Sequence, residues 1–353
     1  MSLEEVRNRI DAIDADIVSL LDERAAAGRE TAAFKQQDGK PLRNIERENQ
    51  VVERAISLSN GSMPARSLET IYRTIMGETL AQETTSRHHC EGHTGKRDVL
   101  AAVLTNEMIA PDFYKMRVRA PDLAGAFSPG QFFQMRLDAG VNGFFLRRPF
   151  APSAYTEDGF EFVYRLTGDG TASMTSLSYG DSFFVLAPLG NSYSLPAAGT
   201  SALLIGGGCG APSIVPLAKA LKEREVRVTV VIGARTAGML LECDAFGRIA
   251  DRVVVATDDG SLGCKGTVVD AYALEKVERP DGIFACGPTP MLRAAAGLAE
   301  RLGISAQVSL EERMACGFGA CMGCAVPVKA ANGTVYRRVC HDGPIFDAAR
   351  LKI

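Results

Sequence analysis

Tryptophan is missing from this 353-residue chain, and nothing functional follows from that. Other absences exclude more. No uninterrupted apolar run approaches the ~18 residues of a membrane-spanning helix, so no membrane partner is expected. The N-terminus, MSLEEVRNRIDAID, lacks a basic-then-apolar signal, and a cytoplasmic location is expected. Charge of one sign is lacking too: a net charge of −3 gives no general polyanion-binding surface, so nucleic acid is not an expected partner. A second C-x2-C pair, which zinc ribbons usually carry, is also absent. What remains is a chain with 46% hydrophobic and 23% charged residues, ordinary for globular protein and long enough for two to four domains.

The nine cysteines fit a reducing compartment better than a disulfide scaffold, because four of them cluster near the C-terminus. Cys316, Cys321, Cys324 and Cys340 read C-x4-C-x2-C-x15-C, with Gly317, Gly319 and Gly323 between the thiols. Those glycines let the backbone wrap closely with its N–H groups inward. Plant-type [2Fe–2S] proteins use the same opening with a distant fourth cysteine. Structural zinc is the alternative on spacing. A cluster of this kind carries one electron at a time and requires a donor and an acceptor.

Residues 1–87 read as all α. Leu3, Val6, Ile10, Ile13, Ile17, Leu20, Arg24, Ala27, Thr31 and Phe34 recur at steps of three and four, the seam of a long helix packed against others. Asp38-Gly39-Lys40-Pro41 stops it, a second helix is expected over 43–58 with Ile45, Val52, Ala55 and Ile56 inward, and a third over 65–87. Arg24 occupies a seam position where burial is costly unless an anion is met. Arg7, Lys35, Arg47 and Glu48 add charge beside the same interior. Either these are salt bridges on solvated faces, or a cavity between helices binds a small polyanion. Arg7 and Arg24 lie roughly 25 Å apart along the helix, so one ligand cannot touch both in one subunit, whereas Arg24 and Lys35 at roughly 16 Å can converge. Arg7 then serves an antiparallel partner, and a homodimer is expected.

VRNRIDAIDADIVSLLDER, Lys35, GKPLRNIERE and ETLAQE together resemble the all-helical chorismate mutase family. The resemblance implies chorismate as ligand and a catalytic set of Arg24, Lys35, Arg47 and Glu48, with Arg7 from the other subunit. Thr79 falls where the family often has Ser, Glu83 where it often has Gln, and Asn44 where Asp is frequent. The rearrangement to prephenate is intramolecular, so catalysis consists of holding the folded conformer and stabilising charge on the ether oxygen. Arginine forks suit the two carboxylates. Lys35 can donate to the ether oxygen, and Glu83 only when protonated. Activity is therefore expected to fall as pH rises. A non-catalytic dimerisation or regulatory domain, or an isochorismate pyruvate-lyase, are the alternatives.

Residues 88–97 read as a polar linker in which His88, His89, Cys90 and His93 are fortuitous, a metal site being the alternative. Residues 98–198 carry short alternating runs that read as a small antiparallel β-barrel. Gly168, Gly170 and Thr171 lead into a short helix suited to a pyrophosphate. Residues 199–305 hold apolar runs of parallel-strand type separated by helices, an α/β nucleotide-binding domain. Gly206-x-Gly208-x-x-Ala211 matches the loose dinucleotide fingerprint, but Gly233-Ala234-Arg235 stands where an acidic residue would meet the ribose. Cys209, Cys243 and Cys264 are expected to be buried small hydrophobes.

In combination, FLRRPFAPSAY, TDDGSLGCKG, GIFACGP and VSLEERMACGFGACMGC resemble ferredoxin reductase-like proteins, and most closely the electron-transfer subunits of dihydroorotate dehydrogenases, over residues 98–353. The resemblance implies FAD at Arg148 and Pro149 and nicotinamide approached through Cys286, Gly287 and Pro288. It implies a [2Fe–2S] cluster on the four cysteines, in a small domain spanning 306–353. Ala151 stands where the family has Ser, so one hydroxyl to the flavin is lost. The family uses NAD; Arg235 could favour the 2′-phosphate of NADP, which stays open. The other partner is a separate oxidoreductase subunit, of dihydroorotate dehydrogenase type or another.

Overall fold

The computed structural model describes residues 2–37, 44–85, 95–137, 146–330 and 333–352. They fall into two compact units, one helical and N-terminal, the other built from residues 94–178 and 183–353.

The helical unit has three helices, α1 (Leu3–Gln37), α2 (Ile45–Leu58) and α3 (Ala65–Thr85). Ser2 and Glu5 begin α1 with a capping box: the Glu5 N–H donates to the Ser2 hydroxyl at 3.2 Å and the Ser2 N–H to the Glu5 carboxylate at 2.6 Å. Asn44 caps α2, its Oδ1 accepting from the Arg47 N–H at 3.0 Å. Val52 and Ala55 of α2 are buried and Ile56 is half-buried, as their spacing predicts. The side chain of Ile45 lies outside the described residues.

The α1 seam behaves differently from its expectation of a packed stripe. Ile10, Ile13, Ile17 and Leu20 are 50%, 49%, 48% and 62% exposed, and Phe34 is 68% exposed. Length is the reason. At 1.5 Å per residue α1 is about 52 Å long, against about 21 Å for α2 and about 32 Å for α3. α3 packs against α1 and, being shorter, leaves this stretch of it exposed.

The second unit begins with a seven-stranded sheet in the order β4-β3-β7-β1-β2-β6-β5. Its strands are β1 (Arg97–Ala110), β2 (Phe113–Arg119), β3 (Phe132–Arg136), β4 (Arg148–Phe150), β5 (Pro152–Thr156), β6 (Gly159–Arg165) and β7 (Ser182–Leu189). Every described pairing is antiparallel. Period-two burial along β1 and β7 puts one face into a core of Met116, Val118, Phe133, Phe160, Phe162 and Tyr164. Between β6 and β7 lies the short helix α4 (Asp169–Met174).

A second seven-stranded sheet follows, with β8 (Ser201–Gly207), β9 (Arg227–Ala234), β10 (Arg252–Thr257), β11 (Cys264–Lys265), β12 (Gly282–Cys286) and β13 (Ser305–Ser309) all parallel. Its β-branched runs are buried on both faces, as a parallel sheet requires. The crossovers contain α5 (Gly210–Ser213), α6 (Val215–Glu223), α7 (Cys243–Ile249), α8 (Val268–Leu274) and α9 (Thr289–Leu302). The cysteine-rich segment adds a hairpin of β14 (Ala325–Ala330) and β15 (Gly333–Arg338), then α10 (Val339–Asp342). The chain then returns as β16 (Ile345–Asp347), the antiparallel edge strand beside β13, giving the order β11-β10-β9-β8-β12-β13-β16. β13 pairs with β12 along its whole length, from Ser305 to Ser309.

Candidate functional site

In the helical unit, Arg24 and Thr79 meet. The Arg24 guanidinium is half-buried and donates from Nη1 to the Thr79 hydroxyl at 2.9 Å, while that hydroxyl donates to the Ile75 carbonyl at 2.8 Å. A seam arginine is thus given a polar partner on α3. Glu48 is half-buried, whereas Arg47 is exposed and holds Gln50 at 3.3 Å. Arg7 is exposed at the far end of α1. Asn44, where the family often has Asp, serves as the α2 cap. The side chains of Lys35 and Glu83 lie outside the described residues, as do the linker residues His88, His89, Cys90 and His93.

On the first sheet, β4 presents Arg148 and Pro149 opposite Met135 and Gln134 of β3. Gly170 is buried at the start of α4, and the Arg148 guanidinium lies where a Gly170 Cβ would stand. The missing side chain therefore lets a cation cross the helix start. The Thr171 hydroxyl closes the preceding turn, accepting from the N–H groups of Thr167 at 2.9 Å and Gly168 at 3.2 Å. Ala151 is half-buried and offers no hydroxyl, while two residues on, Ser153 is buried with its Oγ unpaired. An orphaned hydroxyl here fits a polar ligand better than a closed core.

In the second sheet, β9 lies on one side of β8 and β12 on the other, so strand order reverses at β8/β12. Open α/β sheets bind ligands beyond the carboxyl ends of strands at such a point. Gly206, Gly207 and Gly208 end β8 there, and Cys286, Gly287 and Pro288 end β12. Glycine is required by contact as well as by turn geometry. A Cβ on Gly210 would strike the Cys286 carbonyl, and one on Gly287, whose φ is +154°, would come within 2.5 Å of the Met291 methyl and 2.9 Å of the Gly207 carbonyl. The two loops approach each other closely through their backbones.

Beside Cys286 stand groups that sequence reasoning passed over. Ser213 donates to its sulfur at 3.1 Å. Burial pushes the Cys286 thiol up to about 12 and the negative charge of Glu311 adds to it, against hydrogen bonds from Ser213 and Ser309. Burial likewise raises Cys209 to about 12, with Glu311 again contributing and Arg165 opposing. Glu311 itself opens to solvent on one side, yet its depth in the protein raises its carboxyl above the ordinary range. Spacing gives no warning of Glu311; only its place just ahead of the cysteine motif hints at it. Cys209, Cys243 and Cys264 are half-buried rather than buried, because each sits at an element end instead of inside a strand face.

The four motif cysteines fall into two pairs. Cys316 and Cys321 are hydrogen-bonded neighbours, and Cys324 pairs with Cys340, whose N–H also donates to the Cys324 sulfur at 3.4 Å. Burial acts to raise the Cys316 thiol, yet the N–H groups of Phe318 and Cys321, the Cys321 thiol and the Ala320 N–H bring it down to about 6. Inward N–H groups are what the alternating glycines predicted. Among the described residues, no three His, Cys, Asp or Glu gather for a single metal ion.

Known proteins similar to this chain give its family. Residues 6–84 match the family model of chorismate mutase type II, and residues 311–352 that of the iron–sulfur cluster binding domain of dihydroorotate dehydrogenase B. The electron transfer subunit of dihydroorotate dehydrogenase B (NAD(+)) from Bacillus caldolyticus is 39% identical over 254 residues, covering 70% of this chain and 96% of that protein. Its counterpart from Listeria monocytogenes is 38% identical, covering 71% of this chain and 97% of that protein. The chain belongs to the family of dihydroorotate dehydrogenase B electron transfer subunits. Among solved structures, a chain of the NADH-dependent reduced ferredoxin-NADP oxidoreductase is 32% identical with a TM-score of 0.65, covering 72% of this chain and 90% of that one. The expected cofactor set of FAD, a [2Fe–2S] cluster and NAD stands for this electron transfer subunit relative. The N-terminal helices are an addition to the part it shares with those subunits. No described helix is long and apolar enough to cross a membrane.

Proposed function

We propose that the chain is bifunctional: its helices rearrange chorismate to prephenate, and the rest passes electrons between a partner oxidoreductase, the cluster, FAD and NAD. The touching glycine loops of β8 and β12 at the strand-order reversal carry the redox reading. The Arg24–Thr79 hydrogen bond carries the mutase reading.

FAD, when bound, exchanges two electrons with the nucleotide and single electrons with the cluster. The chain's own residues bind and exclude. Arg148 would neutralise a phosphate of FAD beside Gly170 and Thr171, Pro149 would contact the flavin, and the loops of Gly206, Gly208, Cys286, Gly287 and Pro288 would hold the nicotinamide nucleotide. Burial keeps Cys286 a neutral thiol at physiological pH, so it would bring no charge of its own to a bound nicotinamide. The first sheet is read as a barrel, an interpretation supported by the 5.2 Å separation of the Phe150 and Phe162 rings on β4 and β6. Domains are assigned as 1–87, 98–198, 199–305 and 306–353, with 88–97 as linker. Exposed Phe318 and Met322 beside the thiols suit docking of a dehydrogenase subunit.

In the helical unit Arg24, Lys35, Arg47 and Glu48 hold the substrate, with Thr79 fixing Arg24 and Glu83 near the ether oxygen. A second copy covers the open α1 stripe and supplies Arg7, making a homodimer in the cytoplasm. Incubating the purified chain with chorismate and with isochorismate, and assaying prephenate, pyruvate and salicylate, tests this half; turnover of neither defeats it. NADH-driven bleaching of the flavin absorbance, and capture of a dehydrogenase subunit from native extract, test the other.

A further inference from the structure

β9 ends without the acid that a dinucleotide fold usually offers to the adenosine ribose, since Gly233, Ala234 and Arg235 stand there instead. A carboxylate comes from the next strand. β10 pairs with β9 in parallel up to Thr257 and Ala234. The ladder then runs past both strand ends: the Asp258 N–H donates to the Ala234 carbonyl at 3.1 Å and the Asp259 N–H to the Arg235 carbonyl at 3.3 Å. Continuing the register by one residue sets Asp258 beside Arg235, about 4.8 Å away across the strands. Both side chains are exposed, and among the described residues neither has a hydrogen-bond or ion-pair partner. The loop that carries Asp258 is braced. Thr257 is fully buried, donating to the Leu262 carbonyl at 2.8 Å and accepting the Leu262 N–H at 3.1 Å. The Asp259 carboxylate takes the Ser261 N–H at 3.0 Å and hydroxyl at 2.6 Å, and the Ser261 oxygen accepts from the Ala237 N–H at 2.8 Å. That chain of bonds ties the segment after β10 to the segment after β9. It occupies Asp259 and leaves Asp258 as the acid open to a ligand.

From this placement we infer that Asp258 sets the nucleotide preference: its carboxylate accepts the hydroxyls of the adenosine ribose and keeps a 2′-phosphate out. The inference rests on the nucleotide reading of the β8 and β12 loops. The glycine turn after β8, Arg235 after β9 and Asp258 after β10 follow one another along the carboxyl edge of the sheet. β10 lies two strand spacings, roughly 10 Å, from β8. A dinucleotide with its nicotinamide end between β8 and β12 extends its adenosine over β9 towards that strand. An arginine at this place accommodates a 2′-phosphate, and a carboxylate repels it. The chain holds both side by side, and two features favour the carboxylate. Asp259 follows directly, so two negative charges adjoin one guanidinium, against a phosphate of about −2 charge. Lys265 of β11 lies on the side of β10 away from β9, its stem along Gly260. A ribose diol also offers two O–H donors, which the two oxygens of one carboxylate accept. Arg235 is thereby a dormant phosphate site, unmasked when Asp258 loses its charge.

Flavin reduction by NADH and by NADPH, in full-length protein loaded with flavin and cluster, provides the test. Wild type is expected to prefer NADH. In Asp258→Asn, kcat/KM for NADH falls about tenfold, the weight of one hydrogen bond to a charged acceptor, while kcat/KM for NADPH rises. The change for NADH sits in KM, because the adenosine end touches no reacting atom. Adding Arg235→Ala to Asp258→Asn takes the NADPH gain away again. Flavin and cluster content at wild-type levels show that the variant is folded, and Asp258→Ser serves in its place if it is not. An unchanged ratio of NADH to NADPH efficiency in a folded variant overturns the inference, as does a wild type that prefers NADPH. Wild-type flavin reduced by neither nucleotide overturns the nucleotide reading itself.

Discussion

Arg24 of α1 and Thr79 of α3 share a hydrogen bond of 2.9 Å, and the same threonine hydroxyl spends its own proton on the Ile75 carbonyl. Towards the guanidinium that hydroxyl consequently acts as an acceptor. Thr79→Val keeps the shape of the side chain and removes the acceptor. Mutase kcat/KM is expected to drop about tenfold, the equivalent of ~1.4 kcal/mol, while NADH reduction of the flavin is unchanged. Parallel steady-state assays of both activities check it.

Ile13 and Ile17 sit in the middle of the uncovered α1 stripe. Replacing both by Glu puts charge at the expected helix–helix seam. Sedimentation should show monomer, and mutase turnover should fall together with dimer content, since Arg7 then has no neighbouring site to serve. Flavin reduction by NADH should persist.

Cys324 is buried and touches Cys340. Cys324→Ser should remove the cluster absorbance and EPR signal, leaving FAD content and NADH-driven flavin reduction near wild type. Electron delivery to an external acceptor through the cluster should be lost. Flavin loss in parallel with cluster loss would contradict separate sites.

A methyl group at Gly210 collides with the Cys286 carbonyl. Gly210→Ala should cost about 1–3 kcal/mol, the usual range for overpacking, and raise the KM for NADH because the β8 and β12 loops must part. Urea denaturation and nucleotide titration read the two effects.

Burial raises Glu311 above its ordinary 4.5. The folded state then keeps a proton that the unfolded chain has released, so stability is highest at low pH and declines as pH rises from about 4.5 through the folded-state value. Glu311→Gln should flatten that decline and raise the denaturation midpoint near neutrality. Midpoints across a pH series of wild type and variant give the comparison; a steeper decline in the variant would reverse the assignment.

Legibility differed by kind of signal. The helical pattern of α1, the strand–glycine–helix of β8 and α5, and the cysteine spacing were readable because each is a local repeat or a fixed interval. Long-range adjacency was not. Gln134 is buried against Gly317, far from it in sequence, and nothing in GQFFQMRL marks its second glutamine as a buried amide. Glu311 likewise looks like any exposed acid until the fold sets it beside Cys286. The open stripe of Ile10 to Leu20 carries helical periodicity whether its cover comes from its own chain or another, so the pattern alone does not say which.

The return of the chain as β16 beside β13 stitches the cysteine segment into the nucleotide sheet at both ends. It is an embroidered loop of that sheet and not a pendant bead. Whatever holds the four thiols in place therefore also bears on the edge strand of that sheet.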